Sequence, residues 1–164
     1  MMTTKRYLSY DDLMGMVNSM IRQMAIDGYK PDVVVGLVRG GMIPAVHVSH
    51  YYDVPLVAFK YSLRDHPGKD DISKLVELMD GERKILIVDD ICDAGHTLRD
   101  VRAAACDFLS PGAPQEAEAL YDMMVKTAVL QYNAGARLYM PSYFGEVINK
   151  VEKPEWIVYP FEYE

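Results

Sequence analysis

Residues 85–98 of the sequence read ILIVDDICDAGHTL. With the preceding lysine, residues 84–88 form a run of mainly aliphatic side chains that is too short for a confident helix and predicts a strand buried on both faces. Asp89 and Asp90 follow at once, and a short loop from Asp93 to Thr97 leads into helical spacing that continues to residue 109. The stretch therefore predicts a strand, an acidic turn and a helix in direct succession.

Strands and helices also alternate on both sides of this stretch. Short runs of β-branched and aromatic residues predict strands at 33–38, 54–61, 125–132 and 156–159. Helical spacing predicts helices from residue 9 to 27, 42–52, 75–79 and 117–124, and the polar segment 62–74 predicts a mobile loop. This order indicates an α/β fold with a mostly parallel central sheet flanked by helices, and such sheets bind ligands at the carboxyl ends of their strands.

The composition argues against several classes of protein. The 164 residues are 50% hydrophobic and 25% charged, which fits one folded domain and excludes wholesale disorder. A formal net charge of −7 argues against nucleic-acid partners. No apolar run is long enough for a membrane span or a signal peptide, and Cys92 and Cys106 lack metal-ligand spacing. We expect a cytoplasmic protein without nucleic-acid or membrane partners.

Asp89 and Asp90 carry the first chemical signal. Carboxylates at the end of a buried strand are unfavourable unless they reach solvent or meet a ligand, and they can bind sugar hydroxyls or water on a magnesium ion. The loop from Asp93 to Thr97 would present free backbone N–H groups at a helix N-terminus, where phosphate binds. The alternative is structural: the aspartates end a strand and Thr97 caps a helix. The combined features favour a ribose 5-phosphate site.

The same stretch resembles the phosphoribosyl-pyrophosphate (PRPP) signature of the type I phosphoribosyltransferases. Residues 35–45, VGLVRGGMIPA, resemble the pyrophosphate loop of that family. Residues 156–162, WIVYPFE, resemble the closing segment of its xanthine-guanine and related 6-oxopurine enzymes. The resemblance implies the type I fold as a single domain over residues 1–164, with a small hood formed largely by residues 133–164.

The resemblance also implies roles for individual residues. Asp93 would accept a proton near purine N7, and Arg39 would stabilise the leaving pyrophosphate together with Arg64 from the predicted loop. The family often has a cis peptide bond before the residue that matches Arg39. Mg²⁺ would be held by Asp89 and Asp90, through water. The residues implied for PRPP are Asp89, Asp90, Asp93, Ala94, Gly95, His96 and Thr97, and those for pyrophosphate are Arg39, Gly40, Gly41 and Arg64.

The base site departs from the family pattern. By resemblance, Trp156 would stack on the purine and the backbone near Ile157 would read the base edge, although an isolated tryptophan is also common in cores and interfaces. The 6-oxopurine enzymes usually carry a lysine after the strand that matches residues 125–132, and it contacts O6 of the base. Here the matching residues 131–135 read QYNAG. Asn133 could donate a neutral hydrogen bond, which is weaker than a charge-assisted one.

The resulting hypothesis is transfer of the phosphoribosyl group from PRPP to guanine, xanthine or hypoxanthine, with Mg²⁺ and in a homodimer or homotetramer. Two alternatives stay open. One is a regulator on the same fold that binds PRPP or a nucleotide with little catalysis. The other is a phosphoribosyltransferase for a different base, such as adenine or a pyrimidine, which the missing lysine would favour.

Overall fold

The computed structural model describes residues 4–61 and 69–163, and its strands form two sheets. The strands of the described chain are β1 (Thr4–Tyr7), β2 (Val33–Val38), β3 (Leu56–Lys60), β4 (Ile85–Cys92), β5 (Val125–Asn133), β6 (Tyr143–Ile148) and β7 (Glu155–Val158). The larger sheet is parallel throughout, in the order β3-β2-β4-β5-β6. The predicted parallel α/β sheet is confirmed, with β4 at its centre.

Helices cover both faces of this sheet. They are α1 (Tyr10–Ile26), α2 (Met42–Tyr52), α3 (Lys69–Asp80), α4 (His96–Leu109) and α5 (Glu118–Met124), with a 3-10 turn at Pro114–Glu116. The first helix begins at a capping box, in which the Asp12 N–H donates to Ser9 Oγ at 3.1 Å and the Ser9 N–H donates to Asp12 Oδ2 at 2.8 Å. It ends just before Gly28, whose φ of 65° suits the residue after a helix.

Alternate residues of β4 pack against opposite layers of helices. Ile85 and Ile87 join the cluster that contains residues of α3, α4 and α5, whereas Leu86 and Val88 join the cluster with α1 and α2. All four side chains are fully buried. Burial of each such side chain contributes about 1.5–3 kcal/mol relative to exposure. This packing fixes the part of β4 that precedes Asp89.

The two ends of the chain meet in a second small sheet. β1 and β7 pair in parallel, and the N–H of Leu8 donates to Val158 O at 2.9 Å. Within the predicted hood range 133–164, β6 belongs to the large sheet. From here on, the name hood is used for β1, β7 and the turn at 149–154 before β7. The predicted strand at 156–159 therefore belongs to the hood sheet and not to the large one.

Four segments differ from the sequence predictions. β4 continues to Cys92, so Asp89 and Asp90 belong to the strand and not to a turn after it. β1 and β6 were not predicted, because β1 is short and largely exposed and β6 is only partly buried along most of its length. Residues 69–74 of the predicted loop belong to α3, which buries Ile72, Leu75, Val76 and Met79 at helical spacing. Residues 62–68, and with them Arg64, lie outside the described residues. Within the described ranges, no helix has the length and apolar character needed to cross a bilayer.

Candidate active site

The turn after β4 presents unengaged backbone donors. β4 ends at Cys92 and α4 begins at His96, so three residues connect them. Among the described residues, none accepts a hydrogen bond from the backbone N–H of Ala94, Gly95, His96 or Thr97. A cavity of about 320 Å³ lies against the turn and is lined by residues 89–98. Free N–H groups at a helix N-terminus attract anions, so the turn is suited to a phosphate group.

Gly95 allows this turn to pack closely against the segment that follows β5. Its φ is 92°, a left-handed conformation that favours glycine, and a Cβ there would lie 2.7 Å from the backbone nitrogen of Tyr139. The N–H of Leu138 donates to Ala94 O at 3.4 Å on the same side. Residues 138–139 therefore pack against the turn, while the N–H groups at 94–97 have no acceptor among the described residues.

The acidic pair is partly buried at the carboxyl end of β4. Asp89 Oδ1 accepts from the N–H of Asp90 at 2.9 Å, and Asp90 Oδ1 accepts from the N–H of Ile91 at 2.8 Å. Burial, and then repulsion from Asp90, raises the pKa of Asp89 well above its ordinary value. Burial likewise raises the pKa of Asp90. The pair is thus a concentration of negative charge that a bound cation or hydroxyl donors would stabilise.

A divalent cation fits this pair. None of the described cationic side chains lies within ion-pair distance of Asp89 or Asp90. The described residues also contain no cluster of three or more metal-ligating side chains. Mg²⁺ binds few carboxylates and keeps several waters, so two aspartates that leave the remaining positions to water and substrate match its requirements.

The loop after β2 lies directly beside the acidic pair. A Cβ on Gly40 would collide with the carboxylate of Asp90, and a Cβ on Gly41 would collide with the backbone carbonyl oxygen of Val88. Only glycine lets the two strand ends approach so closely. The structure thus brings the predicted pyrophosphate loop and the predicted PRPP turn into contact.

Arg39 occupies the start of this loop with an exposed side chain. The peptide bond between Val38 and Arg39 is cis, as the family resemblance implied. Because the side chain is exposed, its guanidinium is available to a ligand.

Replacing Gly41 with alanine should destabilise the fold, because the added methyl group meets backbone atoms that cannot rotate away. We expect a loss of about 1–3 kcal/mol in the free energy of unfolding, measured by urea denaturation. Gly15→Ala in α1 is the matched control, since a Cβ on Gly15 meets nothing within 4 Å and alanine favours a helix over glycine by about 1 kcal/mol. Equal stability of the two variants would contradict the described approach of β2 and β4.

Asp93 is held by two side chains from other parts of the fold. Asn133 Nδ2 donates to Asp93 Oδ1 at 2.9 Å, and Lys150 Nζ donates to Asp93 Oδ2 at 2.8 Å. Asn133 is buried, and its Oδ1 accepts from the N–H groups of Gly135 and Lys150, each at 3.2 Å. The described contacts of the Asn133 side chain therefore lie within the protein, where they fix Asp93. Its contact with a base stays a prediction.

A chain of hydrogen bonds connects the acidic pair to the hood. The Tyr159 hydroxyl lies 3.2 Å from the carbonyl oxygen of Asp90 and 2.9 Å from Gln131 Oε1. Gln131 Nε2 donates to Glu146 at 2.6 Å, and Glu146 accepts from Arg6 of β1 at 3.0 Å. Gln131 and Tyr159 are buried, so these contacts stabilise the hood's position over the strand ends.

Trp156 and Ile157 lie next to each other on β7 but differ in exposure. The Trp156 side chain is 54% exposed, whereas that of Ile157 is 7% exposed. Ile157 lines a second cavity of about 250 Å³ between the hood and β6, together with Arg6, Glu146 and Lys150. The exposed indole ring is available to a ligand, and its stacking on a base stays a prediction.

Sequence reasoning missed Lys150, Gln131 and Tyr159. Lys150 is 57 residues from Asp93 along the chain and lies after the unpredicted strand β6. Gln131 gave one usable signal, because a polar side chain in the middle of an otherwise apolar strand must find a hydrogen-bond partner.

The described architecture defines a class of protein. A five-stranded parallel sheet flanked by helices, with an acidic pair near the carboxyl end of its central strand, is the type I phosphoribosyltransferase fold. The family model of the phosphoribosyl transferase domain matches residues 4–164, and the chain belongs to this family.

Relatives and solved structures agree with this assignment. The xanthine-guanine phosphoribosyltransferase of Cereibacter sphaeroides is 38% identical over 87 residues, which cover 47% of this chain and 52% of that protein. The enzyme of the same name from Roseobacter denitrificans is 36% identical over 93 residues, or 48% of this chain and 53% of that protein. The chain therefore spans about half the length of the curated relatives it matches. The crystal structure of a purine phosphoribosyltransferase from Pyrococcus horikoshii superposes with a TM-score of 0.66 at 26% identity, over 98% of this chain and 95% of that one.

Proposed function

We propose that this protein transfers the phosphoribosyl group of PRPP to a purine base with a 6-oxo group: guanine, xanthine or hypoxanthine. The products would be the nucleoside 5′-monophosphate and pyrophosphate, which is a purine salvage reaction. The main support for this proposal is the open turn after β4, where the N–H groups at residues 94–97 are free beside the acidic pair. The names of the matched relatives support the same substrate class.

Different residues of the site would bind the substrate and accept the proton. The free N–H groups at residues 94–97 would bind the 5-phosphate, and Asp89 and Asp90 would accept hydrogen bonds from the ribose hydroxyls. The C1–oxygen bond to pyrophosphate breaks with its electron pair moving to the pyrophosphate oxygen, and N9 of the base donates its lone pair to C1. The proton on N7 moves to the carboxylate of Asp93.

The leaving pyrophosphate gathers negative charge as this bond breaks. The exposed guanidinium of Arg39 would stabilise it, with Gly40 and Gly41 allowing the backbone to approach. Arg64 is our candidate for a second contact, although it lies outside the described residues. We further propose Mg²⁺ as the cofactor, held by Asp89 and Asp90 through water, where it supplies charge neutralisation to PRPP.

Turnover assays test the proposal directly. The protein is incubated with PRPP and Mg²⁺ and with guanine, xanthine, hypoxanthine, adenine or a pyrimidine base in turn, and nucleotide and pyrophosphate are measured. We expect nucleotide from at least one of the three 6-oxopurines. Product from adenine or a pyrimidine alone would assign a different base, and nucleotide binding without turnover would favour the regulatory alternative.

We also propose a homodimer or homotetramer and a cytoplasmic location. The resemblance to the phosphoribosyltransferase family is the basis for the oligomer proposal. Both cysteines are buried and free, which is typical of a reducing compartment. Light scattering coupled to size-exclusion chromatography measures the oligomeric state, and a monomer would contradict this part of the proposal.

A further inference from the structure

The Asp93 site contains a cation that the sequence pattern did not indicate. Lys150 lies in the turn after β6, and Asn149 organises this turn by accepting from the N–H of Val151 at 3.1 Å. The N–H of Lys150 itself donates to Asn133, and its ammonium reaches Asp93. Both the backbone and the side chain of Lys150 are therefore tied to the site.

The position of Lys150 connects the two described cavities. The residue lines the hood cavity together with Ile157, and its Nζ contacts Asp93, which lines the cavity of the phosphate turn. The Lys150 side chain is only 23% exposed, against 52% for Asp93. A ligand that enters beside Asp93 from the solvent side would meet the carboxylate and the ammonium together.

Asp93 retains the capacity to accept a further hydrogen bond. A carboxylate has about four lone-pair sites, and Asn133 and Lys150 donate to different oxygens of Asp93. The Lys150 ammonium has three donors, of which one is directed to Asp93. The pair thus offers an acceptor and a donor side by side.

This donor–acceptor pair matches one edge of a 6-oxopurine. In the free base that carries its proton on N7, this edge presents an N–H donor beside the C6 substituent. That substituent is an oxygen acceptor in guanine and an amino donor in adenine. An ammonium attracts the oxygen and opposes the amino group, because an ammonium has no acceptor for an N–H. The pair is therefore complementary to hypoxanthine, xanthine and guanine and mismatched to adenine.

We propose that Lys150 is a specificity-determining residue, which donates to the oxygen at C6 of the base while Asp93 contacts N7. It supplies from the turn after β6 the cation that residues 131–135 lack. The inference rests on the proposed function, because it requires the base to lie beside Asp93. If Lys150 has this role, the absence of a lysine from residues 131–135 no longer favours a base other than a 6-oxopurine.

Two nucleotides that differ only at C6, inosine 5′-monophosphate and adenosine 5′-monophosphate, test the inference without turnover. Calorimetric titration of the unmodified protein should show tighter binding of the inosine nucleotide by about 10- to 100-fold, as expected for a charge-assisted hydrogen bond. Lys150→Ala should reduce this preference to within about threefold, and Lys150→Gln, which keeps a neutral donor, should fall between. Lys153→Ala is the matched control, since Lys153 lies in the same turn and pairs with Glu155 at 2.9 Å.

Steady-state kinetics provide the second readout. For Lys150→Ala we expect the KM for hypoxanthine to rise by about 10- to 100-fold while the KM for PRPP stays within about twofold. A nucleotide preference that survives in Lys150→Ala, or that the unmodified protein lacks, would overturn the inference. Failure of the proposed reaction can be distinguished from failure of this inference. If no base is turned over but Lys150→Ala abolishes the nucleotide preference, catalysis is refuted and base selection by Lys150 is supported.

Discussion

Replacing Asp93 with asparagine is expected to lower kcat by about 100- to 10,000-fold, which is the usual contribution of a general base. The side chain keeps its size, and the oxygen that remains can still accept a hydrogen bond from Asn133 or Lys150. What it loses is the ability to take the N7 proton. Because the proposed phosphate contacts come from the N–H groups at residues 94–97 and not from the Asp93 carboxylate, the KM for PRPP should change by no more than about threefold.

Steady-state kinetics with PRPP and a 6-oxopurine varied separately measure both quantities. Asp107→Asn is the matched control, since Asp107 is an exposed residue of α4, eleven residues beyond the first residue of that helix. We expect this control to retain full activity. Equal losses in kcat and in PRPP affinity for Asp93→Asn would show that Asp93 acts in binding and not in proton transfer.

Replacing Asp89 with asparagine should make the free protein more stable and the ligand site weaker. The substitution removes one of two neighbouring, partly buried carboxylates while an amide oxygen remains to accept from the N–H of Asp90. Removing the repulsion between these carboxylates should raise the free energy of unfolding by about 1 kcal/mol, which corresponds to about 2–4 °C in Tm for a chain of this size. The same change removes a ligand for the cation and the ribose, so the affinity for PRPP with Mg²⁺ should fall at least about tenfold.

The stability difference should depend on pH in a defined direction. Because the pKa of Asp89 is raised in the folded state, its stabilising contribution is present below the ordinary value of 3.8 and is lost as pH rises through the folded-state pKa. The advantage of Asp89→Asn should therefore be largest near neutrality and vanish in acid. Thermal unfolding of both proteins without ligand measures this, and a variant that is less stable than the unmodified protein at neutral pH would contradict the proposed repulsion.

The central strand and its turn could be predicted from sequence because their signals are local. Four consecutive aliphatic residues, two aspartates and a glycine-containing loop lie within residues 85–98. The structure confirms the strand and the helix, but β4 continues through the two aspartates to Cys92. The capping box at Ser9 and Asp12 is equally local. Each of these signals depends on residues a few positions apart, so no knowledge of tertiary contacts was needed.

The base side of the site depends on contacts between distant segments. β6 was not predicted because Tyr143 is its only buried residue. Its Gly145 lies so close to α1 that a Cβ would collide with Met16, and this contact depends on the tertiary fold. Lys150 follows β6, so its approach to Asp93 depends on the pairing of β6 with β5. The function of Asn133 as a support for Asp93 follows from the same pairing.

Binding of a phosphate group at the turn after β4 can be measured by NMR spectroscopy. Backbone amide resonances of ¹⁵N-labelled protein are followed during titration with a purine nucleoside 5′-monophosphate. We predict that the largest shifts occur at Ala94, Gly95, His96 and Thr97, whose N–H groups lack partners among the described residues. Saturable binding that leaves these four amides unmoved would contradict the central claim.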